Sequence, residues 1–383
     1  MAICRRTFMK AAAIACAACL AGPRGMGRAA RYLALEPGLL GRKLSPFYKP
    51  LENDFIECTL CPHRCQVGPG ERGACRVRQN EKGRYYTLVY GNPCAVQMDP
   101  IEKKPFFHVL PGSASFSLAT AGCNFHCQFC QNWEISQKSP DETTNLPLGP
   151  EQVAAEAKAA GALSIASTYV EPTIFMEYML DMGRAAQKAG LLKVMHSNGF
   201  VNPEPLAQLC QVLHAACIDL KSIREDFYRK ICQGGLAPVQ ETLRRLVRAK
   251  VHVEVVHLMI PTLNDSLEET RELARFVRDE LLPEVPLHLT RFYPQYKLQN
   301  LPPTPIETLA RARRAALEMG LKYVYVGNVP GHPAENTYCP HCRSLLIKRT
   351  GYHLGQMNLK KGLCPKCGLP IYGIWEQPAP TAG

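Results

Sequence analysis

From about residue 115 to residue 326 short apolar runs alternate with amphipathic stretches. The runs lie at 115–119, 164–168, 193–196, 216–220, 253–259, 287–290 and 323–326. Their length suits strands buried on both faces, and it is too short for a helix with a face of its own. Between them, apolar residues recur at helical spacing over 150–160, 174–189, 203–213, 225–231, 239–249, 267–279 and 306–319. Several of these open on good start signals, among them Asn264-Asp265-Ser266 and Pro305. Strand–helix alternation with short joins predicts an α/β fold, a parallel barrel or part of one. An open doubly wound sheet is the competing arrangement, but no glycine-rich dinucleotide loop accompanies it. Polar, reactive residue types gather where the apolar runs end, which is the end of a barrel that carries its chemistry.

The pattern divides the chain into an N-terminal tail over 1–40, a cysteine module with its lead-in over 50–105, the alternating body over 106–330 and a second cysteine module over 331–377. An extended linker covers 31–50, a β-like stretch covers 85–90, and Asp99-Pro100-Ile101-Glu102-Lys103-Lys104-Pro105 is rich in proline and lysine. The last residues, with Pro378-Ala379-Pro380, read as unstructured.

With 383 residues, 46% of them hydrophobic, the chain can bury one large core and smaller satellites. The formal charge is +12, yet Arg5, Arg6, Lys10, Arg24, Arg28, Arg31, Arg42 and Lys43 precede every fold signal. The body is only mildly basic, so a nucleic-acid partner is disfavoured. Arg5-Arg6-Thr7-Phe8-Met9-Lys10 is followed by an apolar run over 11–21 that Gly22-Pro23 closes. That run is too short to span a bilayer, and no transmembrane segment lies beyond it. Its layout resembles a twin-arginine export signal, and an ordinary basic amphipathic helix is the alternative.

Cysteine changes the picture most. Eighteen are present, mostly in clusters two or three residues apart, a spacing that suits metal ligation better than disulfides. In the centre, Cys123, Cys127 and Cys130 follow directly on the first apolar run. Three thiolates on one short loop can wrap a corner of an iron–sulfur cube and leave one iron open. A zinc site or buried thiols are the alternatives. Near the end, Cys339-Pro340-His341-Cys342 and Cys364-Pro365-Lys366-Cys367 read as two knuckles of a tetrahedral zinc site, with rubredoxin-like iron or an auxiliary cluster as alternatives. Cys58, Cys61, Cys65 and Cys75 form a second four-thiolate set, for zinc or an auxiliary cluster, in which His63 could replace one thiolate. Cys94, Cys210, Cys217 and Cys232 stand isolated, and Cys210 and Cys217 read as core residues.

The central triad at the end of a first barrel strand resembles the radical S-adenosylmethionine (SAM) superfamily. Within it the chain is similar to pyruvate formate-lyase activating enzymes and to AmmeMemoRadiSam-system radical SAM enzymes. The stretches that carry this are Cys58-Thr59-Leu60-Cys61-Pro62-His63-Arg64-Cys65, Gly73-Ala74-Cys75, Asp99 through Pro105, Gly122 through Gln137, Tyr169-Val170-Glu171-Pro172 and Asn336-Thr337-Tyr338-Cys339-Pro340. The resemblance covers roughly residues 50–375. It implies a partial (β/α)6-type barrel, a 4Fe–4S cluster on Cys123, Cys127 and Cys130, and SAM chelated at the open iron. Reductive cleavage of SAM would give a 5′-deoxyadenosyl radical that abstracts hydrogen. It also implies that Phe129 packs on the adenine.

Glu171 stands where these enzymes meet the methionine amino group, although Tyr169 and Val170 replace two glycines of that motif. Its other reading is a carboxylate at a helix start. Ser197 and Asn198 match a turn near the SAM ribose or carboxylate, or are self-capping turn residues. Asp219-Leu220-Lys221 is shared with the activating enzymes; alternation points Asp219 and Lys221 the same way, to hold a zwitterion or to form a structural ion pair. Arg291, at the end of the sixth run, could meet a carboxylate or serve structure alone.

The first function is therefore a protein-activating enzyme with a reducing electron donor and a protein substrate. Radical modification of a small molecule or RNA is the second, and a non-catalytic iron–sulfur carrier the third. The export-like start points to the periplasm, whereas strong reductants are normally cytoplasmic.

Overall fold

A computed structural model of the chain describes residues 35–377, which belong to one compact unit. The signal-like segment, up to residue 34, and Pro378-Ala379-Pro380 lie outside the described residues. Among the described residues no helix is long and apolar enough to cross a membrane.

The centre is one sheet of eight strands: β1 (Ala95–Pro100), β2 (Ala114–Ala119), β3 (Ser164–Ser167), β4 (Leu192–Ser197), β5 (Ala215–Asp219), β6 (His252–Met259), β7 (Leu287–Arg291) and β8 (Val324–Gly327). They neighbour one another in chain order. From β2 to β8 every pair is parallel, and β1 runs antiparallel along β2. Each parallel crossover carries a helix: α1 (Pro150–Ala159), α2 (Met176–Ala189), α3 (Pro203–Cys210), α4 (Leu236–Arg248), α5 (Leu267–Phe276) and α6 (Ile306–Glu318). The seven apolar runs are the seven parallel strands, displaced by a residue or two.

Two elements depart from the pattern. The strand β1 is not signalled by apolar residues, because an antiparallel edge strand needs only one buried face and tolerates Pro100 at its end. The stretch 225–231 makes only one α-turn, Glu225–Phe227, and then widens into a π-turn over Tyr228–Cys232.

The edge strands β1 and β8 do not pair with each other. The segment 101–110, leaving β1, instead fills the lumen. Ile101, Phe106, Val109 and Leu110 pack on Ala166, Val194, Cys217 and Val256, inward-facing residues of β3, β4, β5 and β6. The strand β6 also supplies a buried carboxylate: Glu254 accepts from the backbone N–H of Phe107 (3.1 Å) and of His108 (2.8 Å). Its remaining partners are His288 at 2.7 Å and His252 at 3.3 Å. Burial alone would push the Glu254 carboxyl up, but the two imidazoles outweigh it and hold it well below the usual range. At the far side, His108 Nε2 meets the Tyr325 hydroxyl of β8 at 2.7 Å.

The two cysteine modules flank this body. The C-terminal one is a three-stranded antiparallel sheet, β9 (Thr337–Tyr338), β10 (Leu345–Thr350) and β11 (His353–Met357). It shares a core with the barrel through Phe107, Tyr323 and Tyr325. The N-terminal module is built of short antiparallel strands and is pinned to α2 by a buried ion pair. Arg78 donates to both Glu177 oxygens (2.8 and 2.6 Å) and to the Ile174 carbonyl at 3.0 Å. Such a bidentate pair, with its other donors also satisfied, is costly to break from one side.

Lys193 of β4 is fully buried, and its Nζ reaches only the Ser167 hydroxyl, at 2.5 Å. Burial lowers its pKa from 10.5 to about 7. Between those pH values the unfolded lysine binds a proton that the folded one releases, so stability rises with pH across that window. Urea unfolding of Lys193→Met at pH 7, 8.5 and 10 should show a gain of about 2 kcal/mol at pH 7 that shrinks as pH rises. Equal stability of variant and wild type at all three values would refute this account of Lys193.

Candidate active site

The loop after β2 carries the cysteine triad, and neighbours on three sides fix its path. Gly122 has φ +87°, and a Cβ there would stand 2.5 Å from the Cys75 carbonyl oxygen, so only glycine fits. The backbone N–H groups of His126 and Gln128 donate to the carbonyls of Cys232 and Ile231, at 2.9 and 3.0 Å. His63 Nε2 lies 2.7 Å from the Asn124 carbonyl. The π-turn and the N-terminal module thus hold the loop from opposite sides.

Cys123, Cys127 and Cys130 line a cavity of about 770 Å³ at the C-terminal end of the strands. Phe129, Glu171, Ser197, Asn198, Asp219 and Lys221 line it too. The three cysteines are free thiols. Burial raises the Cys123 and Cys130 thiols, with the Ser136 hydroxyl opposing at Cys130. At Cys127 the neighbouring Cys232 thiol and then burial push it up, while the Lys221 ammonium pulls it down. Cys232 is therefore not isolated: it sits, fully buried, against Cys127. Among the described residues the triad does not gather to the spacing of a single ion, the one group that does being at the C-terminus. An iron–sulfur cube puts each thiolate on its own iron and asks for wider spacing. The donor set and its cavity fit such a cluster.

Glu171 begins a short turn of helix, Pro172–Phe175, and caps it through the Thr173 N–H at 3.0 Å. The same carboxylate accepts from the Ser197 hydroxyl at 2.8 Å and the Asn198 N–H at 2.7 Å. Asn198 in turn donates its side-chain amide to Asn124 Oδ1 of the triad loop at 2.8 Å. The three residues expected around SAM therefore spend their polar atoms on one another and on that loop. They shape the wall, and the helix-start reading of Glu171 holds alongside its place in the cavity.

Asp219 and Lys221 do point the same way: Lys221 Nζ lies 2.7 Å from Asp219 Oδ2, and His196 Nε2 lies 2.8 Å from Oδ1. Burial raises the Asp219 carboxyl, but Lys221 and His196 more than reverse that and leave it ionised. Phe129 is buried beside them, its ring 5.6 Å from Lys221 Nζ. Arg291 is not brought to the cavity wall. Its Nε donates to the Thr304 carbonyl at 2.8 Å and its Nη1 to the Tyr293 hydroxyl at 3.1 Å, as a structural arginine would.

Sequence reasoning missed part of the wall. Asp99 accepts from Lys103 at 2.7 Å and from Lys104 and the Tyr169 hydroxyl. Lys103, Lys104 and Tyr169 all face the cavity. Burial, partly offset by Asp99, lowers Lys104 to about 8. Glu102, also at the wall, keeps a buried Oε2 without a partner. The signal was the run of ionisable residues at 99–104 within an otherwise buried stretch. Further out, Glu335 and Tyr352 of the C-terminal module complete the rim together with Tyr293.

Residues 117–277 match the pattern of the radical SAM superfamily. An uncharacterised protein of Methanocaldococcus jannaschii is 45% identical over 327 residues, 85% of this chain and 97% of that protein. The chain belongs to the radical SAM superfamily. Its radical SAM domain implies a 4Fe–4S cluster and SAM as cofactors. The pyruvate formate-lyase-activating enzyme of Clostridium pasteurianum is 24% identical over 225 residues, 52% of this chain and 87% of that enzyme. Among solved structures, a radical SAM methyltransferase from Sphaerobacter thermophilus aligns with TM-score 0.45 and 18% identity, over 56% of this chain and 66% of that one.

In this radical SAM enzyme the C-terminal cysteines form a separate centre. The sulfurs of Cys339, Cys342, Cys364 and Cys367 all lie within 4.8 Å of one another, close enough to share one metal ion. The Ser344 hydroxyl stands 3.0 Å from Cys342 Sγ and 3.4 Å from Cys364 Sγ. Cys339 and Cys364 also belong to the core that joins the module to the barrel. Cys364→Ala should therefore remove one metal equivalent and lower the melting temperature by several degrees, with iron still taken up at the triad. Elemental analysis with calorimetry checks this, and unchanged metal content would refute it.

Proposed function

We propose that the chain reductively cleaves SAM at a 4Fe–4S cluster held by Cys123, Cys127 and Cys130, and acts as an activating enzyme on a protein partner. The single observation that carries this is the common cavity wall of the three cysteines, Phe129, Glu171, Ser197, Asn198, Asp219 and Lys221. When bound, the cluster would supply one electron to the SAM sulfonium, and C–S cleavage would yield a 5′-deoxyadenosyl radical able to take a hydrogen atom.

The rest is the protein's own work of orientation and shielding. Phe129 offers an apolar face to the adenine. The Asp219–Lys221 pair offers one charge of each sign to the amino and carboxylate groups of the methionine part. Glu171 holds the Ser197–Asn198 turn in place. The lumen-filling segment closes the cavity from below and keeps bulk water from that side.

Three considerations support a protein substrate. The relatives at 24% identity are activating enzymes of pyruvate formate-lyase. The cavity runs to a rim where Tyr293 and Tyr352 are 42% and 47% exposed, room for a loop to lie against aromatic side chains. The motifs at 58–75, 99–105 and 336–340 further resemble AmmeMemoRadiSam-system enzymes. The C-terminal four-cysteine centre we assign to structural zinc, since four thiols at that spacing are its preferred set.

Anaerobic protein given SAM and dithionite should form 5′-deoxyadenosine, and Cys127→Ala should lose both cluster and product while its circular dichroism stays native. Product formation by Cys127→Ala at more than about a hundredth of the wild-type rate would defeat the assignment. Adding a glycyl-radical enzyme of the pyruvate formate-lyase type should give an organic radical signal on the added polypeptide. A SAM-dependent change in a small molecule, with no such signal, would replace the activating role.

A further inference from the structure

Cys58, Cys61, Cys65 and Cys75 do not line the cavity. Cys58 ends the strand Ile56–Cys58, Cys61 and Cys65 lie in the turn to its partner Gln66–Val67, and Cys75 lies in the loop before Arg78–Glu81, yet all four thiols are close enough to interact electrostatically with one another. All are free, with Cys58 and Cys61 buried. A free four-thiol cluster in the core of a small module calls for a ligand.

Two observations say which ligand. The first is spacing. Among the described residues the C-terminal four sulfurs meet the distance of a single ion, whereas neither this set nor the triad brings three sulfurs that close. The triad serves as an internal reference, since its superfamily carries a polynuclear cluster there. A lone tetrahedral ion would draw four thiolates together; a cube with one thiolate per iron keeps them apart. The second is a buried donor that faces only sulfur. Tyr85 is fully buried, its hydroxyl meets no oxygen or nitrogen acceptor, and the groups beside it are the Cys58 and Cys75 thiols. A thiol is a weak acceptor, and the thiolates and sulfides of a cluster would give this phenol a stronger one. Gly73 keeps the space open: a Cβ there would come within 2.9 Å of that hydroxyl and 3.8 Å of Cys65 Sγ.

We propose that Cys58, Cys61, Cys65 and Cys75 bind a second iron–sulfur cluster, fully ligated by protein and hydrogen-bonded by Tyr85. The site is rigidly placed. Arg78, just past Cys75 in the chain, is clamped to Glu177 of α2 as described above. Cys75 presses its carbonyl against Gly122, next to the first triad cysteine.

The proposal stands apart from the SAM chemistry, because its test removes the SAM site. The full chain carrying Cys123→Ala, Cys127→Ala and Cys130→Ala is produced with iron and sulfide and purified without oxygen. It should keep about half of the wild-type iron and acid-labile sulfide, one zinc per chain, and a paramagnetic signal after dithionite. Adding Cys61→Ser and Cys75→Ser should abolish the iron and sulfide, with the C-terminal zinc reporting that the fold survives. Tyr85→Phe in the triad-less chain should shift the reduced-cluster signal or its midpoint potential. Two zinc ions and no sulfide in the triad-less chain would overturn the proposal, and so would a chain with the C-terminal zinc alone.

Discussion

A sheet whose edge strands never meet leaves a lumen that its own side chains cannot fill, and this constraint organises the molecule. The inward residues of the middle strands are small or medium in size, Ala166, Val194, Ala215 and Cys217. They leave room for the segment 101–110 to enter, which brings Phe106, Val109 and Leu110 to complete the core. A backbone threaded into a core must still satisfy its N–H groups. Glu254 does so for Phe107 and His108, and the imidazoles of His288 and His252 keep it ionised in that buried place. Without a counter-charge the carboxylate would cost several kcal/mol to bury. The segment goes on to bring Phe107 against Tyr325 of β8, with ring centroids 4.8 Å apart.

The same segment joins the cavity to the C-terminal module. Arg349 of β10 donates to the Phe107 carbonyl at 2.7 Å and to the Thr337 hydroxyl at 2.8 Å. Phe107 sits in the shared core with Cys339 and Cys364. A metal ion gathered by those thiols would hold the module's turns and, through Arg349 and Phe107, the depth at which the segment lies. On the opposite side the N-terminal module sets the triad loop through Cys75 and His63. Neither cysteine module is an appendage. Each touches a boundary of the cavity, and loss of either would be felt there as a displaced wall.

Much of this was legible in the sequence, and the reasons are local. Period and length alone gave the seven parallel strands and six of the seven expected helices, because a strand covered on both faces has to be apolar throughout. The triad was legible because three thiolates on one loop leave few other uses. Asp219 and Lys221 followed from strand alternation. What stayed hidden depends on partners distant in sequence. Cys232 looked solitary, 105 positions from Cys127 by their numbers, until the π-turn carried it to the triad. Arg291 looked like a site residue because it ends a strand, but the Thr304 carbonyl and Tyr293 take its guanidinium. Strand β1 and the filling of the lumen were invisible for a different reason: proline and lysine mark exposed chain in most settings, and here Lys104 lies inside.

Lys104 shows why that setting is stable. It is 1% exposed, and an ammonium so placed needs an anion at contact distance. Asp99 supplies it and is lowered to about 2, burial notwithstanding, by Lys103, Lys104 and Tyr169 together. Asp219 plays the same part for Lys221, with His196 on its other oxygen. Asp219 in the cavity wall and Asp99 behind it are thus each shared between cationic or hydroxyl partners, and Glu171 is used up on N–H and O–H donors. Charges matched in this way resist reorientation, since moving any one exposes its partner to a low-dielectric surrounding. A wall so fixed suits chemistry in which a reactive group must be held in one direction and shielded until it meets its target.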